Sequence, residues 1–218
     1  MPLQLLSDLL SFPHCEVLFN FMFESVNRFA TSGAVDQHFR DLFGCDDYLR
    51  APESGQQRQE FLRDLYARQL CNGAGFTFVR SFEMVNKRGR TGNYLFFGTR
   101  HELGLKVMKE AMWKVDPVHG KRFDATEEGL LSLFGDRPEL APLQAGIISR
   151  FAGQRVPIGQ LEHFVLLETD YLPQSHLRRG ILVPMEADGL IADVQGRKRH
   201  NTYPPGSIIQ FAPRQGNT

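Results

Sequence analysis

The stretch from Phe76 to Asp116, FTFVRSFEMVNKRGRTGNYLFFGTRHELGLKVMKEAMWKVD, constrains the fold more than any other part of the chain. Phe76 to Val85 is rich in β-branched and aromatic residues, and Asn93 to Thr99 is a second short apolar run, so both predict strands. Lys87, Arg88, Gly89 and Arg90 between them form a polar, glycine-bearing turn, and so short a connection predicts an antiparallel hairpin. From Glu102 the period changes to a helical one. Leu103, Val107, Glu110, Ala111 and Lys114 stack along successive turns, while Leu105, Met108 and Met112 fill a second apolar row. A helix apolar on more than one side is expected to be mostly buried.

Upstream, PLQLLSDLLSF predicts an amphipathic helix with Pro2 in its first turn and Pro13 ending it. Glu16 to Met22, EVLFNFM, is a near-continuous apolar run, which suits a strand covered on both faces in a parallel sheet. Helix then buried strand is the second half of a βαβ unit, so the chain is expected to open in the middle of a fold. Phe23 to Ala30, Val35 to Phe43 and Gln57 to Cys71 read as helices, the last two separated by the polar linker CDDYLRAPESGQ. Asn72-Gly73-Ala74-Gly75 stops the last of them.

At 218 residues with 42% hydrophobic content, the chain can bury a real core. Lys+Arg and Asp+Glu stand at 25 each, so a nucleic-acid or acidic partner must be met by a local patch and not by overall charge. Cys15, Cys45 and Cys71 are odd in number, widely spaced and without a CxxC pair, which argues against a disulfide framework and a zinc site. His38, His119, His163, His176 and His200 share no metal-binding spacing. No apolar run approaches the ~20 residues of a membrane span, and the N-terminus carries no export signal. A soluble protein in the reducing cytoplasm, with no membrane or metal, is expected.

Past Asp116, VDPVHGKRFDATEEG has loop chemistry, and a domain boundary is expected near Asp124 to Pro138. Glu139 to Phe151, Ile158 to Thr169 and Pro173 to Ala187 then read as three helices. Asp188-Gly189 turns the chain into a strand, Leu190 to Val194. A basic tip, QGRKRHNT, follows, and Ser207 to Phe211 is the returning strand. Three helices and a two-stranded basic hairpin, in that order, predict a winged helix.

Several of these segments resemble one family. The hairpin and helix with SFEM, NKRGR, YLFFGT, His101 and MKEAMWKVDP, together with FNFMFESVNRF and the terminal segment, are similar to the second half of the three-Cys-motif partner proteins. That family joins a methyltransferase-like Rossmann domain to a C-terminal winged helix of the GMT type. The resemblance implies an α/β fold: the C-terminal half of a Rossmann-like methyltransferase sheet over 1–124, a linker over 125–138 and a winged helix-turn-helix domain over 139–213. It also implies S-adenosylmethionine as the cofactor of longer members, gripped by the loop after the first strand and an acidic residue ending the second. Those parts lie upstream of the helix that opens this chain. Either this chain is a truncated product or a separately encoded partner supplies the first half, and the chain alone is expected to bind no cofactor. Gly73 and Gly75 are no substitute, because they precede a strand instead of joining a strand to a helix.

Glu83, Asn86, Arg90 and His101 cluster around the hairpin ends, where strand-end loops of an α/β sheet build sites for acid/base or substrate-binding groups. The competing reading is turn chemistry with solvated charge. Asn20, an amide inside an apolar strand, calls for a structural hydrogen bond to the next loop. On the third terminal helix, Gln174, Ser175, His176, Arg178 and Arg179 occupy the first two turns, and Arg197, Lys198, Arg199 and His200 crowd the tip. A recognition helix and a basic wing engage bases and phosphates in this way. Glu162, Glu168, Asp170, Glu186 and Asp188 temper the patch, and a protein-docking module is the alternative.

Overall fold

The computed structural model describes residues 2–29, 36–126 and 137–213, which divide into two compact units. One comprises residues 2–29, 36–116 and 121–126, the other 117–120 and 137–213. Of the predicted linker, 127–136 lie outside the described residues, as do Ala30 and Val35 at the ends of two predicted helices.

In the first unit α1 (Leu3–Leu9) precedes β1 (Val17–Phe21), and α2 (Phe23–Phe29), α3 (Asp36–Phe43) and α4 (Gly55–Gln69) follow. The hairpin is β2 (Phe78–Val85) and β3 (Thr91–Thr99), succeeded by α5 (Glu102–Val115) and β4 (Arg122–Asp124). The sheet order is β1-β3-β2-β4. β3 runs antiparallel to both β1 and β2, and β4 runs parallel to β2. Three strands therefore share one direction and β3 is reversed between them.

This placement corrects the reading of the first strand. β1 is an edge strand with an antiparallel neighbour, not a central strand among parallel ones. Its side chains alternate: Phe19 and Phe21 turn into the core, while Leu18 is 57% exposed. An apolar run records hydrophobicity but not which face is covered, and pairing with β3 leaves one face and one edge bare. Asn20 lies on the open face, where its Oδ1 accepts a hydrogen bond from Asn93 Nδ2 of β3 at 2.5 Å. The amide thus ties two strands together, not a strand to a loop.

The opposite face of the sheet meets α1 to α4 through an aromatic core. Phe21 stacks on Tyr66 at 4.6 Å, Tyr66 meets Phe96 edge-on at 5.1 Å, and Phe43 and Tyr48 close the cluster. Such contacts add to the area these rings remove from water. Gly98 is small for a reason: a Cβ there would sit 2.7 Å from the Phe76 ring. α4 ends in a wide π-type turn, Leu70–Ala74, capped by Gly75 at φ 95°. Gly73 and Gly75 thus close a helix before a strand.

α5 packs on β2 and β3 with Leu105, Met112 and Trp113 buried. Contrary to expectation its other apolar row is uncovered: Leu103 is 71%, Val107 55% and Val115 54% exposed. β4, unforeseen in a stretch of loop composition, forms because the buried Asp116 carboxylate accepts the Lys121 and Arg122 amides at 3.0 and 3.2 Å. That turn brings Lys121 O to the Glu83 amide at 2.9 Å.

The second unit runs α6 (Ala141–Phe151), β5 (Arg155–Pro157), α7 (Ile158–Glu168), a wide π-type helix Pro173–Leu182 continuing into α8 (Val183–Ala187), then β6 (Ile191–Gln195) and β7 (Ile208–Phe211). Its sheet is antiparallel in the order β5-β7-β6. β5 went unread because three residues carry no period. The single helix expected over Pro173 to Ala187 instead changes pitch before Pro184, which offers no N–H and would crowd the carbonyl four residues back, so the turns upstream widen. Leu143, Ile147, Leu161, Val165, Leu177, Ile181, Ile209 and Phe211 form the buried core. No helix among the described residues is long and apolar enough to cross a membrane.

Candidate functional site

The carboxyl end of β2, the hairpin turn and the start of β3, with residues of α2 and α4, line a polar cleft of about 800 Å³. Ligand clefts in α/β sheets form outside the carboxyl ends of parallel strands, and this volume suits a small molecule. The Glu83 carboxylate is held at its wall by two side chains, Gln59 and Thr91. Gln59 Nε2, one helix turn into α4, lies 2.9 Å from Glu83 Oε1, 2.9 Å from Thr91 Oγ1 and 2.6 Å from Tyr94 OH. Thr91 Oγ1 also donates to Glu83 Oε1. Glu83 and Tyr94 share one side of the sheet because they pair in the β2–β3 register, and the irregularity between Met84 and Val85, which sets Val85 opposite Thr91, brings Thr91 to that side; Gln59 reaches them from α4. Burial pushes the Tyr94 phenol above its ordinary pKa, the Gln59 hydrogen bond pulls it down and the Glu83 charge raises it. Tyr94 therefore stays a hydroxyl at neutral pH, and Glu83 presents Oε2 with no hydrogen bond among the described residues. Arg90 on the rim likewise has a guanidinium without a partner among them. An oriented carboxylate in a cleft that an arginine also lines can bind a polar ligand or accept a proton.

The four sequence candidates do not share this cleft. Glu83 and Arg90 line it. Asn86 is turn chemistry: its Oδ1 accepts the Arg88 and Arg90 amides at 2.9 and 3.3 Å, closing the hairpin. His101 follows the far end of β3, about 27 Å from Thr91 along the strand. There its ring stacks on His14 at 5.5 Å, and its amide bonds Thr99 Oγ1 at 3.0 Å. Proximity in sequence misled because β3 carries the chain across the whole sheet before His101 is reached.

In the second unit the basic residues divide into structural and free ones. His176 is buried; its Nδ1 accepts the Leu172 amide at 2.9 Å and caps the helix start, so it cannot reach a groove. Arg178 pairs with Glu162 of α7 at 2.7 Å. Arg197 is not a free tip cation: its guanidinium grips Glu186 with both terminal nitrogens, one at 2.7 Å, and lies over the Tyr203 ring at 6.0 Å. Tyr203 OH stands 2.6 Å from the same carboxylate, and His200 Nε2 is 3.1 Å away. The Arg197 hydrogen bonds, assisted by Tyr203 and the Arg197 and His200 charges, hold Glu186 down to about 2 against the effect of burial. Gln174, Ser175, Arg179, Lys198 and Arg199 remain exposed, and the last three carry no ion pair among the described residues.

Sequence reasoning missed both networks. Glu186 looked like a negative charge diluting the patch, whereas it anchors the turn that displays Lys198 and Arg199. Gln59 and Tyr94 carried no motif at all, and only the strand register joins them to Glu83. Among the described residues no group of three or more His, Cys, Asp or Glu is placed to hold a metal. Comparison of the chain with protein-family models, with curated proteins and with solved structures finds no match.

Proposed function

We propose that the chain is a nucleic-acid-binding protein of methyltransferase-like build: a winged helix over 139–213 targets an α/β unit, as the resemblance to three-Cys-motif partner proteins implies. One observation carries the reading. The helix, strand, helix, helix, strand, turn, strand order with a β5-β7-β6 sheet leaves Gln174, Ser175 and Arg179 outward on the third helix, beside a turn whose free cations are Lys198 and Arg199. The Glu186 clamp holds that turn in one shape, so phosphate contacts are made with little further ordering. For the α/β unit, the three co-directional strands and the cleft at the carboxyl end of β2 support a partial doubly wound sheet.

Fluorescence anisotropy of the full chain against mixed duplex DNA and RNA hairpin pools tests the reading. Lys198→Ala with Arg199→Ala is expected to weaken binding to all sequences alike and to flatten the salt dependence by about 0.9 per lost phosphate contact. Gln174→Ala is expected to alter sequence preference by about 1–3 kcal/mol. Absence of binding at about 50 mM salt refutes nucleic-acid contact. The paired states of Arg178 and Arg197 then favour a protein-docking module.

A further inference from the structure

The Glu83 carboxylate is committed on one oxygen only. Gln59 Nε2 reaches Oε1 at 2.9 Å and Thr91 Oγ1 donates to the same atom, which fills its two lone-pair sites. Oε2 has no hydrogen bond among the described residues and is left to a ligand, its position set by the partners of the other oxygen. The cations of the cleft are as unequal. Arg63 is paired with Asp64 at 2.8 Å and Arg122 with Asp124, Arg28 keeps a loose contact with Glu24 at 3.6 Å, and Arg90 has no ion pair among the described residues. Arg90 lies four residues before Tyr94, the register partner of Glu83, so up to about 13 Å of extended chain separates the two. A ligand that uses both groups carries an N–H donor at one end and an anion at the other, with some length between. An α-amino acid, whose charges sit one carbon apart, fills little of about 800 Å³. A nucleoside monophosphate has the length, the volume and both ends.

We propose that the cleft binds a nucleotide with an aminated base, the exocyclic amine donating to Glu83 Oε2 and the phosphate meeting Arg90 and Arg28. The inference rests on the nucleic-acid reading above and gives the α/β unit a ligand of its own. A carboxylate oxygen accepts from the amine of adenine or cytosine and repels the carbonyl that hypoxanthine and uracil carry in its place. Guanidinium groups take phosphate through paired N–H donors.

The test is calorimetric titration of the full chain with AMP, CMP, IMP, UMP and adenosine. AMP and CMP are expected to bind at least about tenfold tighter than IMP and UMP, because a site built around an N–H rejects the analogue without it. Adenosine should trail AMP by a similar factor, and Arg90→Ala should bring AMP down to the level of adenosine. Glu83→Gln carries the sharpest expectation. With Gln59 and Thr91 still donating to the side-chain Oε1, the amide nitrogen stands where Oε2 stood, and the order should invert in favour of IMP and UMP. Competition separates two sources of the same ligand: an oligoadenylate that displaces AMP places the nucleotide in a strand, and one that does not leaves the free nucleotide. No AMP or CMP binding up to about 5 mM overturns the proposal. So does binding without preference for the amine, or a preference that Glu83→Gln leaves standing. Duplex or hairpin binding with no nucleotide binding refutes this inference alone, whereas absence of both refutes the reading on which it rests.

Discussion

Replacing Glu186 with glutamine removes the charge on which the basic turn of the second unit is fastened. The carboxylate is 10% exposed and is shared by Arg197, Tyr203 and His200. Its pKa stands at about 2 in the fold against an ordinary 4.5. Because the folded value is the lower one, the stabilisation is complete above pH 4.5 and is lost as pH falls through 4.5 toward about 2. At neutral pH the difference corresponds to about 3 kcal/mol, shrinking to about 2 kcal/mol at pH ~3.5. Urea unfolding of wild type and Glu186→Gln, followed by far-UV circular dichroism at several pH values between about 7 and 3.5, reads this difference directly. The variant is expected to be weaker at pH 7 and to converge on wild type as the solution is acidified. A difference under about 0.5 kcal/mol at pH 7, or one constant with pH, refutes the clamp as a charge-dependent device. Exchange of the Val194 and Ile209 amides, which pair in β6 and β7, should accelerate in parallel.

Two further outcomes follow from the first unit. Arg58 is buried, with Nε on Asn27 Oδ1 at 2.7 Å and Nη1 on Pro52 O at 2.9 Å. Arg58→Met should therefore cost about 2–3 kcal/mol in urea unfolding followed by Trp113 fluorescence, and Arg58→Lys, lacking the planar fork, should recover only part of it. Calorimetry with S-adenosylmethionine should return no binding tighter than roughly micromolar, since Gly73 and Gly75 cap a helix before β2; a tighter Kd contradicts that assignment.

The elements that could be read from sequence were those whose signal is local. The β2–β3 hairpin declares itself through two apolar runs and a turn in which Asn86 and Gly89 supply the geometry, Gly89 at φ 69°. After residue 139 the three helices and the last two strands are likewise written in proline, glycine and apolar spacing, whereas β5 is too short to carry a period. What failed was relational. The run EVLFNFM specifies a strand equally well at the centre or at the edge of a sheet, and only the insertion of β3 between β1 and β2 decides. α5 was read as buried on two sides because its rows were judged by hydrophobicity, which does not say whether a neighbour exists to cover each row. β4 depends on one buried carboxylate, Asp116, folding the chain back on itself.

The same distinction governs the site. Sequence picked charged residues by type, and the fold sorted them by what they face. Glu83 and Arg90 are functional candidates because β2 ends and β3 begins at the cleft, whereas Asn86, between them in sequence, is consumed by the turn that sets their spacing. Arg197 has the same charge as Lys198 and sits beside it, yet it turns inward to Glu186 while Lys198 and Arg199 stay in solvent. A tip of three basic residues is thus one anchor and two displayed charges. The division is economical in physical terms: an ion pair that is 15% and 10% exposed holds the backbone, and the exposed pair is kept near a fixed position from which a phosphate can be met. Neutralising the anchor should therefore change binding through the shape of the turn, with a loss that deepens as stability falls. Neutralising Lys198 or Arg199 should change binding alone.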